Sequence, residues 1–134
     1  MVIRNAKFDD IHQISELEKH ISLEKLCKKI SAKEIIIVEE NEELIGYLRF
    51  NFFWDEIPFM NMLFLKSEYR KQGWGRELVL FWEKEMKQQE YSSLLVSTMS
   101  NESSQYFYRK LNYVDIGGFV LPQEPLELML FKEI

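Results

Sequence analysis

The sequence predicts an α/β fold: a central mixed sheet of about seven strands with helices on both faces, in a single domain over residues 1–134. Three observations predict it. Short β-branched or alternating runs recur along the chain and are separated by stretches of helical period. Strand-helix-strand units such as the one around residues 73–89 need crossovers and hence parallel pairing, whereas the tight turns near 41–42 and 55–58 make antiparallel hairpins. A hydrophobic fraction of 46% in 134 residues is ample for one packed core.

Taken in order, residues 1–7 alternate as a strand. Asp9 or Asp10 is placed to cap a helix with apolar positions Ile11, Ile14 and Leu17, and Ser22 to cap a second with Leu23, Leu26, Cys27 and Ile30. Residues 34–38 are a β-branched strand, and Asn41-Glu42 a turn. Residues 44–53 form a long strand with Gly46 inside it. A second turn at 55–58 is expected because Pro58 cannot donate to a central ladder. Residues 59–65 are again extended. A helix over 73–89 repeats Leu78, Phe81, Trp82 and Met86 on one face. Residues 94–99 read as a buried strand. Asn101 is a candidate cap for a helix ending at Leu111, and Asn112 a left-handed stop. Residues 113–120 and 126–131 close the chain as strands.

The segment Arg70-Lys71-Gln72-Gly73-Trp74-Gly75 stands between a strand and a helix. Amides at a helix start are unpaired and the helix dipole adds positive charge there, so such a loop suits phosphate. Gly73 and Gly75 lack a Cβ, which lets backbone approach an anion. Lys66, Arg70, Lys71 and Arg76 concentrate positive charge locally, although the chain carries a formal net charge of −5. A basic island on an acidic chain fits a small phosphorylated ligand and argues against nucleic acid. Glu39, Glu40, Glu42 and Glu43 read as a solvated turn. Leu78 stands where a dinucleotide fingerprint has its third glycine, and no Gly-Lys-Ser/Thr follows, so neither common phosphate motif is present.

Other classes are bounded more simply. A single cysteine, Cys27, rules out an internal disulfide framework and a cysteine-rich zinc site. His12 and His20, eight apart, read as surface residues, so no metal is expected. No apolar run is long enough for a membrane span. With no signal-like start, a cytoplasmic location is the expectation.

Residues 63–75, Leu-Phe-Leu-Lys-Ser-Glu-Tyr-Arg-Lys-Gln-Gly-Trp-Gly, resemble the acyl-CoA signature of the GNAT N-acetyltransferase superfamily. Residues 101–113, Asn-Glu-Ser-Ser-Gln-Tyr-Phe-Tyr-Arg-Lys-Leu-Asn-Tyr, resemble its second signature. The order of elements matches over essentially the whole chain. The resemblance implies acetyl-CoA as co-substrate. Its pyrophosphate would rest on the amides of about Lys71, Gln72, Gly73, Trp74, Gly75 and Arg76, with Arg70 ordering the loop. Its pantetheine arm would pair with Leu63, Phe64 and Leu65, at an edge made by splaying from the strand at 94–99. Asn101 would lie near the pantetheine amide. Tyr108 would protonate the departing thiolate: a phenol near ~10 can serve a thiol near ~8.5. Tyr106 does not match that position.

An attacking amine must lose a proton, and neither strand near the loop offers a carboxylate. Asp55 and Glu56 in the hairpin turn, and Glu124 in the Pro122-Gln123-Glu124-Pro125 loop, are the candidate bases, with Glu56 and Glu124 favoured and a water chain ending at backbone carbonyls as the alternative. The aromatic group Phe50, Phe52, Phe53, Trp54 and Phe59 straddles the hairpin. Most of it reads as core, while Trp54 and Phe59 could line an acceptor pocket or a dimer face. The resemblance thus implies transfer of an acetyl group from acetyl-CoA to a primary amine, on a small molecule or a protein, by direct attack, in a possible homodimer. A non-catalytic acyl-CoA sensor or an interaction module on the same fold is the alternative.

Overall fold

The computed structural model describes all residues, 1–134. Seven strands and four helices follow one another as β1 (Val2–Asn5), α1 (Ile11–Leu17), α2 (Leu23–Ser31), β2 (Ile35–Glu40), β3 (Glu43–Phe53), β4 (Ile57–Leu65), α3 (Trp74–Gln88), β5 (Ser93–Met99), α4 (Ser104–Lys110), β6 (Val114–Phe119) and β7 (Glu127–Glu133). The sheet is mixed and seven-stranded, in the order β1-β2-β3-β4-β5-β7-β6. Two compact units are present, one of Met1–Phe50 with Met62–Trp82, the other of Asn51–Asn61 with Glu83–Ile134.

In the first unit β1 and β2, then β2 and β3, pair antiparallel. Ile35, Ile36, Ile37 and Val38 are all buried, since a β-branched run covered on both faces makes a central strand. Ile14, Leu26 and Ile30 from the two short helices pack on Ile35, Ile37, Leu44 and Tyr47, with Met62 and Phe64 beside them. Ser22 caps α2, its hydroxyl accepting from the Lys25 amide at 3.2 Å. Asn41 and Glu42 both take positive φ, as a two-residue hairpin turn requires.

Asp10 does not cap α1. Its carboxylate takes two bonds from the Arg4 guanidinium, at 2.8 and 2.9 Å, and one from the Lys7 amide at 2.7 Å. A charged fork outcompetes a helix amide for a nearly buried acid. The Arg4 bonds outweigh burial and hold the Asp10 carboxyl below its ordinary range. His20 lies beyond the end of α1 and is exposed.

In the second unit the parallel rungs Phe59↔Leu95 and Met60↔Val96 join β4 to β5, β5 pairs antiparallel with β7, and β7 with β6. The hairpin turn comes earlier than the sequence suggests. Trp54 and Asp55 carry the positive φ angles and the Glu56 amide donates to Phe53 O at 3.1 Å. This two-residue turn matches strand twist and draws Pro58 into β4, at its second residue, where a missing donor is tolerated. Asn112 takes φ 73° and, with Tyr113, turns its amide back onto α4, to Arg109 O and Tyr108 O. Asn101 does not cap α4: the helix starts at Ser104 behind Ser103, and Asn101 is exposed in the preceding turn. Gln105 holds that turn instead, its amide donating to the Ser100 and Glu102 carbonyls. Thr98 and Ser104 bond through their hydroxyls. Glu83 anchors two neighbours, accepting from Tyr113 Oη at 2.9 Å and Lys132 Nζ at 2.8 Å.

Candidate active site

The loop between β4 and α3 lies in the first unit. After Leu65 the Lys66 amide donates to Ile45 O at 2.9 Å, and residues 67–69 make one tight 3-10 turn. Arg70 folds back, Nε donating to Leu65 O at 2.8 Å with its guanidinium over the Phe64 ring. Gln72 donates to Glu68 O at 2.9 Å. Lys71 and Gly73 take φ of 59° and 91°. The first bond of α3 runs from the Glu77 amide to Gly73 O. The six amides of residues 71–76 therefore meet no acceptor in the protein. A run of free donors at a helix start is an anion cradle. A Cβ on Gly73 would meet nothing within 4 Å, so the constraint at that position is the backbone angle and not crowding.

The positive charge of the loop is partly spent. Lys66 is paired with Glu43 at 2.8 Å, which raises its pKa. Arg76 has only a loose contact with Glu77 at 3.8 Å. Arg70 and Lys71 form no salt bridge, although the Arg70 charge acts on Glu68. An open cleft of about 580 Å³ borders the loop, lined by Met1, Ile3, Gln72, Gly73, Trp74 and Glu77.

Gly46 packs closely behind the strand that leads into this loop, in a way the sequence did not signal. A Cβ there would lie 2.5 Å from Phe64 O and 2.6 Å from a Leu65 methyl. Only glycine lets β3 stand so close to residues 64 and 65. Close backbone approach is a standing reason for glycine within a strand.

Tyr108 lies in the second unit. Its side chain projects from α4 and is buried, with its hydroxyl against Met60 Sδ at 3.5 Å and its ring edge-on to Phe107 and Tyr113. Burial, helped by the charge of Glu102, pushes the phenol well above its ordinary pKa, so it holds its proton at neutral pH. A thioether is a weak acceptor, which leaves the hydroxyl free to take a better one. Tyr106, by contrast, is exposed and lies under the Arg109 guanidinium.

A model of the acetyltransferase (GNAT) family matches residues 3–113. The chain belongs to that family. Solved structures agree with this GNAT assignment at the level of the fold. A ribosomal-protein-alanine N-acetyltransferase from Brucella melitensis is 16% identical, with a TM-score of 0.84 and full coverage of both chains (100% and 100%). The paia N-acetyltransferase from Thermoplasma acidophilum, solved with coenzyme A, is 17% identical with a TM-score of 0.77, covering 99% of this chain and 98% of that one. A Bacillus anthracis structure named as a streptothricin acetyltransferase, solved with acetyl coenzyme A, is 18% identical with a TM-score of 0.69 over 75% of this chain; this GNAT chain spans 61% of that one's length. No curated protein sequence matches it.

The other sequence candidates are dispersed. Glu56 and Glu124 are both exposed, on separate loops, and neither shares a hydrogen bond with Tyr108, whose hydroxyl meets Met60. Cys27 is free and half-buried. No three His, Cys, Asp or Glu side chains come together as a metal site. No helix is long and apolar enough to cross a membrane. One polar cluster went unread in the sequence: Glu18, Tyr47 and Arg49, buried together in the first unit. The signal available was Tyr47 and Arg49 at a two-residue interval in an otherwise apolar strand, which puts both on one face.

Proposed function

We propose that this GNAT chain is one catalytic domain that moves an acetyl group from acetyl-CoA to a primary amine by direct attack. The observation that carries the reading is the run of six unpartnered amides at residues 71–76. Acetyl-CoA supplies an activated thioester and a pyrophosphate of the right charge for that run. The amides of residues 71–76 receive the pyrophosphate, Arg70 and Lys71 add positive charge, and Arg70 also fixes the loop through Leu65 O. The backbone of residues 63–65 aligns the pantetheine arm, with Asn101 at its amide. Tyr108 donates its proton to the departing thiolate. Burial that raises a phenol also raises a thiol placed beside it, so the two remain matched for transfer. The amine gives up its proton through water to Glu56 or Glu124. Holding two reactants in one orientation supplies much of the rate.

Saturating acetyl-CoA is expected to raise the melting temperature. Ligand at 100 times its dissociation constant adds about 2.7 kcal/mol, which is several degrees for a chain of this size. Release of free thiol from acetyl-CoA on adding an amine completes the test. A melting shift without thiol release on any amine would favour an acyl-CoA sensor. The absence of any shift would remove the reading.

A further inference from the structure

We propose that Arg49 holds a carboxylate of the amine acceptor, which makes the acceptor an amino acid rather than a simple amine. The proposal rests on the reading of residues 63–76 as the acyl-CoA site. Arg49 stands in the middle of β3, on the same face as Tyr47, and is only 8% exposed. A guanidinium in such a place needs a partner. Glu18, from the turn after α1, provides it. Its Oε2 accepts from Arg49 Nε at 3.1 Å and from the Tyr47 hydroxyl at 2.7 Å, and its Oε1 accepts from the His20 amide at 2.8 Å, with His20 Nδ1 at 3.4 Å. The carboxylate is thereby filled, and the guanidinium is fixed in one orientation.

What is left over points to a ligand. A guanidinium has five N–H donors, and Glu18 takes one. The four on Nη1 and Nη2 meet no acceptor in the protein, and neither nitrogen is sealed from solvent, since the buried unsatisfied side-chain nitrogen is that of Trp82. Pairing with Glu18 through Nε alone leaves the outer edge of the fork open. That edge matches two carboxylate oxygens, and an ammonium could not offer the same geometry. The surroundings do not repel an anion. Glu18 balances Arg49, and Glu34 balances Lys29, whose Nζ is engaged by Phe50 O at 2.6 Å and Glu34 at 3.4 Å.

The position suits an acceptor. The Tyr47 ring stacks on Phe64 at 5.7 Å between centroids, and Phe64 belongs to the stretch read as holding pantetheine. Tyr47 thus ties the Glu18–Arg49 pair to that stretch, through its hydroxyl on Glu18 and its ring on Phe64.

The test uses matched sets: each common amino acid, its amide, and the amine left when its carboxylate is removed. Binding is read by melting temperature without acetyl-CoA, and turnover by thiol release with it. At least one acid should be acetylated with kcat/KM ten-fold or more above its amide and its amine. Arg49→Lys should raise KM for that acid at least ten-fold, change kcat little, and leave the amide and amine unaffected. The double variant Glu18→Gln/Arg49→Gln, which buries no charge, should show the same loss if Arg49→Lys folds poorly. Equal use of acid, amide and amine would overturn the proposal, as would equal loss on all three in Arg49→Lys. So would failure of every acid to bind or react in protein that acetyl-CoA stabilises. Protein that acetyl-CoA does not stabilise would defeat the acyl-CoA reading alone, and protection by an acid, lost in Arg49→Lys, would then still decide the carboxylate site.

Discussion

The loop at residues 71–76 and the surroundings of Tyr108 solve opposite problems. The loop is mostly exposed and offers main-chain donors, so its chemistry depends on backbone angles and hardly on side-chain identity. Tyr108 is buried and offers one hydroxyl, so its chemistry depends on a single atom and the apolar wall around it. The difference teaches where each site is fragile. A main-chain cradle fails when its angles change. A buried phenol fails when its oxygen is lost.

The largest effect should come from Tyr108→Phe. Loss of a general acid costs about 10²- to 10⁴-fold in rate. Steady-state kcat should fall by that order while acetyl-CoA still stabilises the protein. Stability itself should change by less than about 1 kcal/mol, because the hydroxyl bonds only a thioether. A simultaneous loss of the acetyl-CoA shift would break the contrast between the two regions.

Next comes Gly73→Glu, which forces a side chain onto φ 91° and sets a negative charge at the cradle. The stabilisation of about 2.7 kcal/mol expected from excess acetyl-CoA should disappear in thermal melts. Retention of that shift would show that the ligand uses other groups.

Gly46→Ala sharpens the comparison from behind the loop. Its methyl collides with Phe64 O, so residues 64 and 65 must shift. Chemical denaturation should show a loss of about 1–3 kcal/mol, the usual cost of overpacking. Isothermal titration should show weaker acetyl-CoA binding.

The smallest effect is a pH dependence confined to buried side chains. For Glu18, burial alone would raise the carboxyl, but the Tyr47 hydroxyl, the His20 amide and Arg49 together hold it below its usual 4.5. A depressed carboxyl contributes stability that is full above the unfolded value and is lost as pH falls through the folded one. Melting temperature should therefore decline below about pH 4.5 and level off above it. Glu18→Gln should flatten that slope while lowering stability throughout. A slope that Glu18→Gln leaves unchanged would assign it to other carboxyls, with Asp10 the next to test.

Much of this was legible from period and punctuation. The β-branched run at 35–38, Ser22 before Leu23, Asn112 after a helical stretch and the glycine-bearing loop each state a local preference that the fold obeys. Failures occurred where a distant partner decided the outcome. Asp10 looks like a cap until Arg4 claims it, and Asn101 yields to Gln105 for the turn before α4. Gly46 looked merely tolerated because the atoms that demand it come from residues 64 and 65. Glu18 was not legible as a buried acid, because the Tyr47 and Arg49 side chains that meet it are about thirty residues away.

The strand β6 lies at one of the two edges of the sheet. Val114, Ile116 and Phe119 are exposed along it, and as the last strand of the sheet it presents an unpaired edge. An apolar free edge invites open-ended stacking of one molecule on the next. Register breaks between Asp115 and Gly117, and Arg109 grips Asp115 through two bonds of 2.9 and 2.8 Å. The edge is thereby bent and charged at its middle, so it makes a poor template for another strand. Deleting Ile116 would restore register with β7 and remove that bend.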